Sequence, residues 1–257
     1  MEILVCIKQV PDDSVAVRLG PDGQPDLTGA AMVVNAFDTY ALEMAARLKE
    51  SAGGRITVLC MGGETAKDAV KTCLAVGAER GFVLAGPELA PTDTLGKAAA
   101  LAAAVRQLEE EGGQPFDLIF CGREATDRPT GQTGPQLAER LGLPVITDLV
   151  DIAADGGRVS AKQETEEGWR RVEAALPALV TVTKPAYDPR YPTIKSKLAA
   201  RKMAIPVLSA EAQPGPAAAQ LRLFEPPRRQ AGVRVKEENA ELSAIRAVEL
   251  MAAAKVL

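Results

Sequence analysis

The sequence predicts an α/β fold built on a doubly wound, mostly parallel sheet of the Rossmann-like kind. Four short apolar runs, at residues 3–10, 56–61, 82–85 and 118–121, alternate with stretches that have helical character. The runs are continuously apolar, which is typical of parallel strands that are buried on both faces. A chain of 257 residues that is 47% hydrophobic can form one large domain. In such sheets, ligands bind at the carboxyl ends of the strands.

The first half of the chain contains the predicted βα units. A hairpin is expected at 15–27, where Pro21, Asp22 and Gly23 favour a turn. A helix is expected to begin near Asn35, with Asp38 as its capping residue. The further helices are predicted at 65–76, 93–110 and 131–141, and Gly142 is the expected stop of the last of these.

After Pro144 the pattern changes to short strands separated by turns. These strands are predicted at 145–152, 158–164, 169–175 and 178–183, as antiparallel additions to the sheet. A proline-rich segment, a basic helix at 193–204, a loop at 205–216 and a short strand at 221–224 are expected next. An arm at 226–229 and an amphipathic helix at 239–256 complete the chain. The predicted organisation is a core at 1–184, a docking loop with its basic helix and connection at 185–225, and a C-terminal arm with its helix at 226–257. That arm is too apolar for a solvated tail, so it either folds back on the core or lies on a partner, and the partner is favoured.

Composition excludes several classes of function. A net charge of −4 argues against a nucleic-acid-binding protein. The absence of histidine removes Ser-His and Cys-His nucleophilic machinery and histidine metal ligands. The four cysteines have no CxxC spacing and are expected to be buried thiols rather than metal ligands. No apolar run is long enough for a transmembrane segment, and no signal-peptide pattern precedes the first strand, so a cytoplasmic location is predicted.

The stretch from 117 to 142 has the geometry of an anion site. A buried strand leads into a small polar loop, and a helix begins with Gly131, Gln132, Thr133 and Gly134. Backbone N–H groups and the positive end of a helix dipole favour a phosphate at such a point. The spacing is neither a P-loop nor GxGxxG. An ordinary βα turn that binds nothing accounts for the pattern equally well.

The residues of this stretch resemble a known nucleotide loop. G-R-E-A-T-D at 122–127 and Q-T-G at 132–134 are similar to the loop of the electron-transfer flavoprotein β-subunit family. Further similarities follow in order: V-C-I-K-Q-V-P at 5–11, V-N-A-F-D at 34–38, L-A-V-G-A at 74–78, R-Y-P-T-I at 190–194 and A-G-V at 231–233. On this ordered set the chain is identified as a member of that family, of the prokaryotic type.

The resemblance implies a heterodimer with an α subunit. Electrons would pass on FAD, shared with or held by the α subunit, between an acyl-CoA dehydrogenase-type flavoenzyme and another redox partner. The present chain would hold an adenine nucleotide in its Rossmann-like core. That nucleotide is AMP in simple electron shuttles. In electron-bifurcating members it is a second FAD, which takes a hydride from NADH. The electrons travel on the flavin, so no catalytic acid or base is expected in this chain.

The resemblance also assigns residues. Cofactor binding is expected at Cys6, Asn35, Asp38, Met61, Gly122, Arg123, Asp127, Thr130, Gly131, Gln132, Thr133 and Gly134. Docking of the flavoenzyme is expected at Tyr191, Pro192, Thr193 and Ile194, with Ile194 as the anchor. The chain departs from the family pattern at Ala36, Glu124 and Pro129. These departures leave AMP and a second FAD as open alternatives.

Other interpretations remain open from the sequence. An adenine-nucleotide hydrolase or a stress-type ATP-binding protein would use the same kind of sheet, although its characteristic glycine-rich loop is absent. A structural scaffold for the α subunit would need no nucleotide. Arg123 could pair with Glu124 or Asp127 at the surface instead of contacting a cofactor. The basic helix could be a solvated face.

Overall fold

The computed structural model describes residues 1–86, 93–209, 218, 222–225, 227 and 231–257. Within these residues the strands are β1 (Glu2–Ile7), β2 (Gln9–Pro11), β3 (Arg18–Leu19), β4 (Pro25–Asp26), β5 (Met32–Val34), β6 (Arg55–Met61), β7 (Arg80–Ala85), β8 (Leu118–Gly122), β9 (Val145–Asp155), β10 (Arg158–Thr165), β11 (Gly168–Ala175), β12 (Ala178–Val182) and β13 (Val207–Ser209). The helices are α1 (Ala36–Ala52), α2 (Ala66–Leu74), α3 (Thr94–Gly112), α4 (Thr133–Leu141), α5 (Ile194–Arg201) and α6 (Ala240–Ala253). None of the helices in the described ranges is both long enough and apolar enough to cross a membrane.

One large sheet organises the described chain. Its strand order is β11-β10-β9-β12-β8-β1-β6-β7-β13. The strands from β9 to β13 in this order are parallel, and β10 and β11 add antiparallel strands at one edge. The chain moves from β1 to one side through β6 and β7 and then returns to the other side at β8. The sheet therefore has its topological switch point between β1 and β8, which is where such sheets bind ligands.

Both faces of the central strands are buried, which explains their continuous apolar sequence. In β1, Ile3 and Val5 pack with α1 and α2 on one face, whereas Leu4 and Cys6 pack with α3 and α4 on the other. All four are no more than 8% exposed. Strands enclosed by helices on both faces define the doubly wound α/β class that the sequence predicts, and that prediction is confirmed.

Several details differ from the sequence-based expectations. Four strands were predicted to extend the sheet in antiparallel pairs. Two of them, β9 and β12, instead run parallel to β8, because β12 inserts between β8 and β9. The predicted loop at 205–216 contains β13, a parallel edge strand on β7. Residues 222–225 form no strand, and Leu221 lies outside the described residues. Of the arm predicted at 226–229, only Pro227 is described.

Asp38 does not cap α1, as the sequence suggested, but lies inside its first turn. Asn35 occupies the N-cap position. The Asp38 carboxylate instead accepts hydrogen bonds from the backbone N–H of Lys8, at 2.7 Å, and of Gly122, at 3.1 Å. Asp38 thereby joins the end of β1, the start of α1 and the end of β8. Gly122 allows this close approach, because a Cβ atom there would lie 2.8 Å from the Phe37 carbonyl carbon.

Burial controls the charge of this carboxylate. Asp38 is 5% exposed. Desolvation raises the pKa of Asp38 to about 7, although the Asn35 side chain, the two N–H groups and the charge of Lys8 partly offset that rise. Because the folded-state pKa exceeds the unfolded one, the folded chain retains a proton that the unfolded chain has already lost between about pH 4 and about pH 7.

We therefore expect the stability of the wild type relative to Asp38→Asn to fall as the pH rises. The asparagine does not titrate, so the difference in unfolding free energy isolates the carboxyl group. This difference should decrease by about 2 to 3 kcal/mol between about pH 5 and about pH 8 and then remain level. Urea unfolding of both proteins across that range measures it. A difference that is constant with pH, or that grows, would show that the carboxylate is ionised throughout.

Candidate functional site

A cavity of about 400 Å³ opens at the switch point of the sheet. Its floor is formed by the carboxyl ends of β1, β6 and β8, and its walls by the loop after β8 and the first turns of α3 and α4. Its size falls in the range of small-molecule sites. The lining residues are Cys6, Ile7, Lys8, Asn35, Asp38, Met61, Asp93, Thr94, Lys97, Leu101, Cys121, Gly122, Arg123, Glu124, Ala125, Arg128, Thr130, Gly131, Gln132, Thr133, Gly134 and Ala218.

Eleven of the twelve residues predicted to bind a cofactor line this one cavity. They come from five separate segments of the chain, which the parallel sheet brings to one edge. The twelfth residue, Asp127, lies beside the cavity and holds the ammonium group of Lys8, with 2.6 Å between Nζ and each carboxylate oxygen. Asp127 thus positions a lining cation instead of forming part of the wall.

Part of the cavity wall is weakly polar. Cys6 and Cys121 are register partners on β1 and β8, and Met61 lies at the end of β6. The two thiols are 8% and 7% exposed. The hydrogen bond between the two thiols and the burial of Cys121 both raise the pKa of Cys121. Buried thiols packed with a thioether give a soft surface suited to a flat aromatic ring.

Asn35 shapes the loop after β8. Its Nδ2 donates to the Glu124 carbonyl oxygen at 2.8 Å, and its Oδ1 accepts from the Thr126 N–H at 3.0 Å. The side chain is buried, at 1% exposure of the residue. From its position at the start of α1, Asn35 therefore lines the cavity and fixes the backbone of the loop that follows β8.

The start of α4, next to Cys121, has the features of an anion site. Helix α4 begins there, after Gly131 and Gln132, and its N-terminus points to the cavity. Gly134 lets α4 lie directly on β12, because a Cβ atom at this position would lie 2.6 Å from the Thr181 methyl carbon. The first-turn N–H groups of a helix and its dipole both favour a bound phosphate.

Arg123 lies at the mouth of the cavity and pairs with Asp148, which the sequence did not indicate. The distance from Arg123 Nε to the Asp148 carboxylate is 3.4 Å, and the arginine side chain is 48% exposed. Asp148 has a φ of 55° and donates its N–H to the Thr181 hydroxyl oxygen at 3.1 Å. Its unusual backbone lies at the irregular pairing of β9 with β12. The arginine is thus held by a neighbouring strand and not by Glu124 or Asp127.

Sequence reasoning missed the contribution of α3. Asp93 caps this helix by accepting from the Gly96 N–H at 3.0 Å, and Thr94 and Lys97 face the cavity from the first turn. The Thr94 hydroxyl donates to Gln132 Oε1 at 3.0 Å, which ties the start of α3 to the start of α4. The signal was present as two polar residues three positions apart at the start of an alanine-rich helix.

The predicted docking segment is held against the core. The Arg190 side chain donates from Nε to the Glu43 carboxylate at 2.7 Å, and the Arg190 backbone N–H donates to the same carboxylate at 3.0 Å. The guanidinium group also pairs with Glu50. Burial alone would raise the pKa of Glu43, but the hydrogen bonds from Arg190 and Arg47 hold that pKa below its ordinary value. Directly after this anchor, Tyr191 is 90% and Ile194 81% exposed.

Helix α6 presents apolar side chains to solvent. Asn239 caps the helix by accepting from the Leu242 N–H at 2.9 Å, yet no residue of α6 is buried. The exposed apolar residues, at 42% to 55%, are Leu242, Ile245, Val248 and Met251. An exposed apolar face of this kind is larger than the isolated apolar residues that are common on protein surfaces.

Comparison with known proteins identifies the family. A family model described as the electron transfer flavoprotein domain matches residues 27–213. The electron transfer flavoprotein subunit beta of Megasphaera elsdenii is 38% identical over the full length of both chains. The acryloyl-CoA reductase electron transfer subunit gamma of Anaerotignum propionicum is 36% identical, over 82% of this chain and 79% of its own. The caffeyl-CoA reductase-Etf complex subunit CarD of Acetobacterium woodii is 35% identical, over 76% of this chain and 72% of its own.

These matches agree with the motifs and with the fold. The family model spans more than half of the chain, and the Megasphaera subunit aligns from end to end. The doubly wound sheet is the architecture that the resemblance implied. This chain belongs to the electron transfer flavoprotein family as a β-type subunit, and its role is in electron transfer.

Proposed function

We propose that this chain holds an adenine nucleotide in the cavity at its switch point and pairs with an α subunit to form an electron-transferring heterodimer. One observation carries the proposal: eleven residues assigned by the family motif, from separate segments, line a single cavity. The weakly polar wall at Cys6 and Met61 receives the adenine ring, and the start of α4 receives phosphate. This arrangement favours a nucleotide site over a structural scaffold that needs no ligand.

The nucleotide of this chain is proposed to be a second FAD, with NADH as the hydride donor. Two relatives support this choice, since their names assign them to the acryloyl-CoA reductase and caffeyl-CoA reductase systems. A flavin supplies reversible electron uptake at such a site. The residues of this chain bind and orient it: Gly131 to Gly134 at the phosphates, and Arg123 at the mouth. The alternative nucleotide is AMP, which would make the heterodimer a simple electron shuttle. The partner flavoenzyme is proposed to be of the acyl-CoA dehydrogenase type.

The Tyr191–Ile194 segment and α6 are proposed to bind different partners. The segment carries exposed apolar groups beside the basic helix α5, and the Arg190 anchor fixes its position on α1. A fixed apolar anchor with a charged rim is typical of a docking site for another protein. The apolar residues of α6 are proposed to lie on the α subunit, which makes residues 226–257 the assembly arm.

The nucleotide content of the purified complex tests the central proposal. Denaturation followed by chromatographic quantification should give two FAD and no AMP per heterodimer. One FAD with one AMP would assign a shuttle with a structural nucleotide. Absence of any nucleotide beyond one FAD would overturn the interpretation of the cavity.

Arg123→Ala should weaken retention of the second nucleotide about fivefold to tenfold, since a charge-assisted hydrogen bond is lost. Arg158→Ala, which removes a surface cation paired with Glu173, is the control.

Docking is tested by Ile194→Ala. The side chain is 81% exposed, so the substitution should leave the fold and the nucleotide content unchanged. Electron transfer to the flavoenzyme should fall by about tenfold or more, as expected for a central anchor. Val17→Ala, at another exposed aliphatic residue, should have no effect. Wild-type electron transfer by the Ile194 variant would remove this segment from the docking site.

Assembly is tested by Ile245→Asp in α6. A charge at the centre of the face that is covered in the proposed heterodimer should prevent co-purification with the α subunit, because the carboxylate would be desolvated without a partner. Arg246→Ala, which removes a polar side chain paired with Glu249, should leave assembly intact. Size-exclusion chromatography of the co-expressed subunits measures both variants. A stable heterodimer formed by the Ile245→Asp variant would place α6 outside the interface.

A further inference from the structure

We propose that Asp148 is a positioning residue for the nucleotide site, because its carboxylate holds the guanidinium group of Arg123 in one place before a ligand arrives. The inference rests on the proposed role of Arg123 at the mouth of the cavity and adds the residue that supports it. Arg123 lines the cavity, whereas Asp148 lies outside the set of lining residues and outside the set that the family motif assigned.

A bulge between β9 and β12 places Asp148. The pairing of the two strands shifts between Val180 and Val182, so that β9 has one extra residue at this point. Asp148 lies in the bulge with a φ of 55°, and its N–H donates to the Thr181 hydroxyl oxygen at 3.1 Å. Bulges change the direction of a side chain relative to the regular alternation of a strand. The bulge therefore determines where the Asp148 carboxylate lies.

The residue type at this position is informative. A φ of 55° lies in the left-handed region, which glycine adopts without strain and which aspartate and asparagine tolerate better than other residues. The ion pair with Arg123 joins side chains that are 34% and 48% exposed, and pairs this exposed add little to stability. An aspartate where glycine would be less strained therefore has a better explanation in the orientation of Arg123 than in the stability of the fold.

The Arg123 side chain crosses the end of β12 to reach this carboxylate. Its backbone N–H continues the pairing of β8 with β12 by donating to the Val182 carbonyl oxygen at 2.8 Å. Its Nε lies 3.4 Å from Asp148, on the far side of β12. Holding a long side chain before binding lowers the entropy that binding must cost. The guanidinium group has more N–H donors than one carboxylate can accept from, so donors remain for a phosphate or carbonyl oxygen of a nucleotide.

The support of Arg123 and the proposed phosphate site share one buried residue. Thr181 is 3% exposed, and its hydroxyl group accepts from the Asp148 N–H. Its methyl carbon packs against the start of α4, where a Cβ atom at Gly134 would lie 2.6 Å away. The bulge that carries Asp148 is thus fixed relative to the first turn of α4. The position of the arginine and the position of the helix start are set together.

A double-mutant cycle on the co-purified heterodimer tests the inference. Equilibrium dialysis against FAD and against AMP gives the dissociation constant of the second nucleotide. Asp148→Asn should weaken binding about threefold to fivefold, since asparagine tolerates the same backbone conformation but does not hold the arginine by charge. In the Arg123→Ala background, the same substitution should change binding less than about twofold, because its effect acts through the arginine. Asp151→Asn, at an exposed carboxylate of the same strand, should leave binding unchanged.

Asp148→Gly separates the carboxylate from the backbone, because glycine keeps the bulge without strain. It should weaken binding as much as Asp148→Asn does. Wild-type or tighter binding by either variant, or an equal loss with and without Arg123, would overturn the inference and leave the proposed nucleotide site intact. Wild-type binding by Arg123→Ala would overturn the inference together with the proposed role of Arg123. Failure of the wild-type heterodimer to bind a second nucleotide would overturn the nucleotide site as well.

Discussion

The contacts of the Asp38 carboxylate are the constraint on which the cavity depends. They tie the ends of β1 and β8 to the start of α1, at the point where the sheet reverses its direction of growth. This link adds to the direct pairing of β1 with β8, whose last register pair is Cys6 and Cys121. The requirement for glycine at 122 follows from the same contact, because no side chain fits between the carboxylate and Phe37. The buried Asp38 therefore has a structural role, and its burial at this position raises its pKa.

At this site, the residues that fix the backbone are different from the residues that present charge to the cavity. Asn35 and Gly134 set the course of the loop and of α4, and neither presents a charge to the cavity. The charged groups are distributed around them, some paired within the chain and some not. Electrostatic preorganisation of this kind leaves little reorganisation for ligand binding. The chemistry of the bound group then depends on the cofactor, while the chain decides where its phosphates and rings lie.

The sequence was most informative where the determinants are local. Continuous apolar runs located β1, β6 and β8, and the glycine and polar pattern after β8 located the start of α4, because strand burial and helix termination depend on neighbouring residues. Pairings between distant segments were not accessible in this way. The parallel placement of β12 and the edge strand β13 depend on the whole sheet, and the Arg123–Asp148 pair depends on where β9 lies. Lys97 was not predicted because its helix has the alanine-rich composition of a packing element.

Helix α1 connects the two functional regions of the chain. Its first turn carries Asp38 at the floor of the cavity, and its later turns carry Glu43 and Glu50, which hold Arg190 and hence the exposed segment at Tyr191. A single helix of 17 residues thus sets the distance between the nucleotide site and the proposed docking surface. The helix is anchored through the buried side chains of Asp38 and Glu43, so the cavity and the exposed segment are held by one rigid element. The apolar residues of α6 take no part in this connection, which is consistent with their proposed role in assembly rather than in docking.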